Sequence, residues 1–212
     1  IAAYGLDVEG DGYHELVVAR YERIELHRFY PDHQITDITA LLPSDDPGLE
    51  CQVFAVVAFD LNYDGLSDLV LGCGSRELQR TNDGPHHMHP NIALIQTSQG
   101  EFEQLQRSDW DANGSLLLDA RALTHAIGAA DIDYDGLLDL MVSDEALFSP
   151  QRSSYVGDAG GVYRRCPPNE DCQFEPIRLG GGLNSYGAYM GSGLLQVEGY
   201  GELLYYTNLG PN

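Results

Sequence analysis

One ten-residue pattern occurs three times in this chain, and a fold has to account for all three copies. Asp7-Val8-Glu9-Gly10-Asp11-Gly12-Tyr13-His14-Glu15-Leu16, Asp60-Leu61-Asn62-Tyr63-Asp64-Gly65-Leu66-Ser67-Asp68-Leu69 and Asp131-Ile132-Asp133-Tyr134-Asp135-Gly136-Leu137-Leu138-Asp139-Leu140 share the template D-x-[DNE]-x-D-G-x-x-[DE]-L. A decayed copy, Gln196-Val197-Glu198-Gly199-Tyr200-Gly201-Glu202-Leu203, keeps the shape but loses two residues and most of the acids. The copies begin at residues 7, 60, 131 and 196, so spacings of 53, 71 and 65 residues describe one blade-sized unit with insertions in the second and third.

The flanks of each motif read as strands. Val53 to Phe59 precedes the second copy and Leu69 to Gly72 follows it, both rich in β-branched and apolar residues. The motif is therefore a hairpin loop. Each unit then continues with a second strand pair: Ile24–Tyr30 with Gln34–Ile38, Asn91–Gln96 with Glu101–Leu105, and Gly161–Arg164 with Gln173–Ile177. Four short antiparallel strands per unit is the pattern of a β-propeller blade. The expectation is an all-β chain in a single repeat domain over residues 1–212, with units beginning near 1, 52, 123 and 186. Counting gives fourteen strands, about three and a half blades, incomplete at both ends.

On these residues the chain resembles the FG-GAP and VCBS repeats of integrin-α-like propellers. The closing Tyr205-Tyr206-Thr207-Asn208-Leu209-Gly210-Pro211-Asn212 is similar to the secreted cartilage-acidic-protein and UnbV-like branch. The resemblance spans essentially the whole chain. It implies four-stranded blades with calcium-binding hairpin loops, but no one function, since such blades occur in adhesins, receptors and accessory domains of enzymes.

The loop chemistry points the same way. A hard divalent cation takes six to eight oxygens at about 2.3 to 2.6 Å, and acids at alternating positions 1, 3 and 5 can turn inward on one tight loop that glycine at position 6 allows to bend. A carbonyl at position 7 and an acid at position 9 complete the cage, as in the calcium loops of integrin-like blades. The candidate ligands are Asp7, Glu9, Asp11, Glu15 and the Tyr13 carbonyl; Asp60, Asn62, Asp64, Asp68 and the Leu66 carbonyl; and Asp131, Asp133, Asp135, Asp139 and the Leu137 carbonyl. Two to three calcium ions are expected. The first set is the poorest match because Glu9 is longer than Asp or Asn, and the fourth loop, with Gln196 and Tyr200 in ligand places, should be empty. Plain Asp-Gly turns would explain one such loop, since hairpins favour them. They do not explain three copies that each crowd three or four carboxylates into nine residues.

The formal charge of −22 repels phosphate backbones and anionic lipid, which argues against nucleic-acid binding, and the longest apolar run, Val53 to Phe59, is too short for membrane insertion. An apolar fraction of 43% is enough for a real core. The chain opens at Ile1 without Met or a signal segment, which reads as a processed mature chain or a piece of a longer one. Four cysteines fall as two local pairs, Cys51 with Cys73 and Cys166 with Cys172. Paired cysteines and weak oxygen-ligand sites fit an oxidising, calcium-rich setting, so the expected location is secreted or extracellular.

Other motifs carry less. His87 and His89, within His86-His87-Met88-His89, form an H-x-H pair with spacing for zinc or copper, but no third ligand is evident and an exposed polar loop explains them as well. Gly191-Ser192-Gly193 lacks nucleophile-elbow spacing and Gly180-Gly181-Gly182 lacks the lysine of a phosphate loop, so both read as turns. Asn113 begins the sequon Asn113-Gly114-Ser115, a candidate glycosylation site. Two functions compete: a calcium-stabilised extracellular structural or binding module, with protein or glycan partners, and a secreted enzyme or accessory domain using the histidine insertion. The first is better supported, because apart from that insertion no acid–base or ligand group stands outside the repeat template. An unpaired half-blade further predicts that the missing strands come either from a longer parent chain or from neighbouring copies of this one, joined head to tail by strand addition into an extracellular fibre.

Overall fold

The computed structural model describes residues 2–7, 13–20, 23–30, 34–39, 52–74, 91–97, 101–105, 123–145, 147–149, 154–156, 161–170, 174–177, 188–197 and 201–209. These residues form sixteen strands. The first unit holds β1 (Ala2–Leu6), β2 (Glu15–Arg20), β3 (Arg23–Phe29) and β4 (Ile35–Asp37), and the second β5 (Gln52–Phe59), β6 (Asp68–Gly74), β7 (Ile92–Gln96) and β8 (Phe102–Gln104). Each is a four-stranded antiparallel meander in chain order. The third unit repeats it with β9 (Leu123–Ala130) and β10 (Asp139–Glu145), followed, after a small hairpin of β11 (Leu147–Ser149) and β12 (Ser154–Val156), by β13 (Gly161–Arg165) and β14 (Phe174–Ile177). A last hairpin joins β15 (Ala188–Val197) to β16 (Gly201–Leu209). The all-β, blade-like architecture expected from the repeats is what the chain adopts.

Three details differ from that expectation. Sixteen strands replace fourteen because the insertion of the third unit contains the β11–β12 pair, whose three-residue strands are too short to give a periodic signal. The final hairpin is not a separate half-blade, since Glu145 pairs with Ala188 and so attaches β15 to the third sheet. Gly191-Ser192-Gly193 is not a turn. It lies within β15 opposite Thr207, Tyr206 and Tyr205, next to a register shift, a position where glycine is at home in a strand.

That register shift recurs. Phe54 in β5, His125 in β9 and Met190 in β15 are each an extra residue on the first strand of the unit, and each lies six positions before the first motif residue at 60, 131 or 196. The bulge reverses which face later side chains take. In the second blade Val53 packs with Val56, Leu69, Leu71, Cys73, Ile92 and Leu94 against Val17, Ala19, Ile24 and Leu26 of the first blade. Its other face, with Ala55, Val57, Phe59, Val70 and Ala93, packs on Ile127, Leu140, Val142 and Tyr163 of the third. Both faces being buried, the run Val53 to Phe59 is continuously apolar instead of alternating.

Gly72 lies on the face toward the third blade. A Cβ there would stand 2.8 Å from Thr124 Cγ2, 3.2 Å from Ala55 Cβ and 3.3 Å from Ile127 Cδ1, so its missing side chain sets how closely β6 and β9 approach.

Candidate functional site

The second and third acidic loops join the first two strands of their blades and share one backbone conformation. Tyr63 and Tyr134, at position four, have φ of 66° and 63°, and Gly65 and Gly136, at position six, have φ of 85° and 89°. Glycine adopts this left-handed region freely, whereas tyrosine does so at a cost.

The same hydrogen bonds close both loops. The first aspartate accepts from the amides of positions five and six: Asp60 Oδ1 from Asp64 at 3.1 Å and Oδ2 from Gly65 at 2.9 Å, and Asp131 Oδ1 from Asp135 at 3.1 Å and Oδ2 from Gly136 at 3.0 Å. The position-three oxygen also accepts from the position-five amide, at 3.0 Å for Asn62 and 3.2 Å for Asp133. Asp64 and Asp135 take the amides of Leu66 and Leu137, each at 2.8 Å. In the second loop Asn62 Nδ2 also donates to Asp64 Oδ2 at 2.9 Å. These bonds turn the side-chain oxygens into the loop, which is how a stretch this acidic keeps a tight bend.

Position nine does different work. Asp68 is fully buried and accepts from the Leu61 amide at 2.7 Å and from the Gln96 amide at 2.8 Å, tying its loop to the end of β7. Asp139 does the same with the amides of Ile132 and Arg165, each at 2.8 Å. Burial pushes both carboxyls above their ordinary value; the donated amides pull the other way, and Asp64 in one loop, with Asp133 and Asp135 in the other, pushes up again.

Among the described residues, one oxygen each of Asp131, Asp133 and Asp139 gather within 4.8 Å of one another. Opposite ligands on an ion with bonds of about 2.4 Å stand about that far apart, so the donor set fits a hard divalent cation. Asp131 is half-buried and Asp133 exposed, which leaves the cluster open on one side. The second loop, with Asn62 for Asp133, has the same backbone and bonds.

The first loop is only partly described. Asp7 follows β1 and is half-buried and Tyr13 is 51% exposed, while Glu9 and Asp11 lie outside the described residues. Glu15, at position nine, is buried and accepts from Arg28 Nε at 2.9 Å, so a cationic side chain meets this longer acid. In the fourth unit Gln196 faces Glu202 and Val197 faces Gly201 across the ladder, so three residues separate β15 from β16 where eight separate the first two strands of the second and third blades.

Cys73 and Cys166 are buried and disulfide-bonded. Cys51 and Cys172 lie outside the described residues, as do His86 to His89, Asn113 and Gly180 to Gly182.

One contact escapes sequence reasoning. The Tyr63 hydroxyl donates to the Cys166 carbonyl, and its ring lies under the Arg165 guanidinium, 3.7 Å from Cζ to the ring centroid. The available signal was a bulky residue at position four, where the first and fourth copies have Gly10 and Gly199.

Two comparisons bear on these features. Residues 7–71 match the FG-GAP-like repeat, a span that runs from the first motif through the second. Integrin alpha-4 of Xenopus laevis is 30% identical over 150 residues, covering 69% of this chain and 13% of that protein. The match shows an FG-GAP-like repeat over residues 7–71, and the same acidic loop and four-stranded antiparallel blade recur in the third unit.

Proposed function

We propose that this chain is a calcium-stabilised, extracellular, non-enzymatic binding module. The observation that carries this reading is the convergence of Asp131, Asp133 and Asp139 oxygens in a loop whose backbone is duplicated around Asp60, Asn62, Asp64 and Asp68. Asp135 and Asp64 stand beside these groups, Leu137 and Leu66 supply carbonyls, and the first loop offers Asp7, Glu9, Asp11, Tyr13 and Glu15 for a weaker third ion. A calcium ion would offset the repulsion and the burial penalty that these carboxylates now carry. Kinship with an integrin alpha chain supports an adhesive role outside the cell, with protein partners.

The finer reading is that the partner is another copy of the chain. Among the described residues β16 closes one side of its sheet as a nine-residue edge strand, and an edge that long is a template for strand addition. Head-to-tail addition of this kind builds a fibre.

Calorimetry with calcium and with chelator tests the ion: the melting temperature should fall on chelation, and an unchanged transition overturns the reading. Electron microscopy of the calcium-loaded protein tests the assembly, for which uniform monomeric particles are the contrary result.

A further inference from the structure

The two acidic loops are not independent. Tyr63 of the second loop bonds to the Cys166 carbonyl and carries the Arg165 guanidinium on its ring. The Arg165 amide, in turn, donates to Asp139 Oδ1 of the third loop at 2.8 Å. One dipeptide, at the end of β13, therefore touches both loops. It is firmly seated: Arg165 is 5% exposed and lies 5.6 Å from the Phe59 ring centroid, Phe59 meets Phe174 edge-on at 6.3 Å, and Cys166 is 1% exposed and disulfide-bonded. The Arg165 Nη2 is buried without a hydrogen-bond partner among the described residues, so the guanidinium depends on aromatic rings for its electrostatic compensation.

The third loop supplies an internal comparison. Tyr134 has the same left-handed backbone as Tyr63 but is 71% exposed against 36%. The strain of a tyrosine at position four is thus matched by a contact in one loop and, among the described residues, not in the other. From this we infer that Tyr63 is a positioning residue, a latch by which the second loop holds the Arg165-Cys166 segment and so fixes the Asp139 carboxylate for cation binding in the third loop. This rests on the cation reading above, but the latch itself can be tested without an ion.

The experiment is site-resolved hydrogen exchange on the whole chain, first without calcium and then across a calcium titration. Tyr63→Phe keeps the ring and loses the hydroxyl; Tyr63→Gly loses both and relaxes the backbone, so it separates the latch from loop strain. Without calcium, both variants should speed exchange of the Arg165 amide by about threefold to tenfold, with Tyr63→Gly the larger. In the titration, both should raise the calcium concentration that half-protects residues 131–139 by a similar factor, and Tyr134→Phe should leave residues 60–68 unmoved. Unchanged Arg165 exchange in both variants overturns the latch. Faster Arg165 exchange with an unshifted midpoint for 131–139 overturns the positioning role. A wild-type chain whose third loop ignores calcium overturns the cation reading instead, while the Arg165 amide still decides the latch.

Discussion

Asp68 and Asp139 illustrate how one residue type serves two purposes in the same loop. The template D-x-[DNE]-x-D-G-x-x-[DE]-L casts position nine as a ligand, yet both oxygens of each aspartate also hold backbone amides, one within the loop and one at the end of the third strand. Replacing Asp68 by Ala strands two buried donors, and should cost about 2 to 4 kcal/mol in urea denaturation. That loss should persist in chelator, which a ligand-only role would not produce. Sequence pattern located every acid of these loops, because carboxylates at alternating positions are legible locally. It could not show that Gln96 and Arg165 supply amides, since they stand 28 and 26 residues further along the chain and contribute backbone, not side chain.

At the scale of the element, strand pairing was legible down to the second pair in each blade, and the cysteine spacing of the second hairpin allowed for a bulge or a shifted turn without placing either. Expecting facing residues of the second hairpin to share an index sum near 128, as Asp60 and Asp68 do, leaves Cys51 and Cys73 four short. The observed ladder sums to 127 from Phe59 to Ala55 and to 126 beyond Phe54, so the bulge and the true turn register remove half of that mismatch. Val53 faces Cys73, which puts Cys51 two positions from direct opposition in sequence. Peptide mapping without reduction should recover Cys51–Cys73 and Cys166–Cys172, and a crossed pattern would contradict the hairpin pairing. The approach of β6 to β9 gives a sharper test. Gly72→Ala forces a methyl against Thr124, Ala55 and Ile127, two of them short and poorly able to yield, and should destabilise by about 1 to 3 kcal/mol without altering calcium affinity at the loops.

For the whole molecule, the formal charge of −22 is the term that distinguishes the cation-free state. Self-repulsion on this scale destabilises a compact chain, and simple salt screens it. In chelator, the melting temperature should therefore climb as sodium chloride is raised. With calcium bound, the same salt should change it much less, because the densest charge clusters are already neutralised. A melting temperature equally sensitive to salt in both states would show that the loops are not where the charge problem lies.

The second blade has no free sheet face among the described residues. Each of its faces is the inner face of a boundary with a neighbour, so its stability belongs to two interfaces and hardly at all to itself. Chains built this way behave as nearest-neighbour arrays, in which disorder at one boundary spreads along the row more readily than it arises afresh. The blades from the first to the third should accordingly melt as a single cooperative block. A cut within that block should release two sticky walls, one lined by Leu69 and Leu71 and the other by Val57 and Val70.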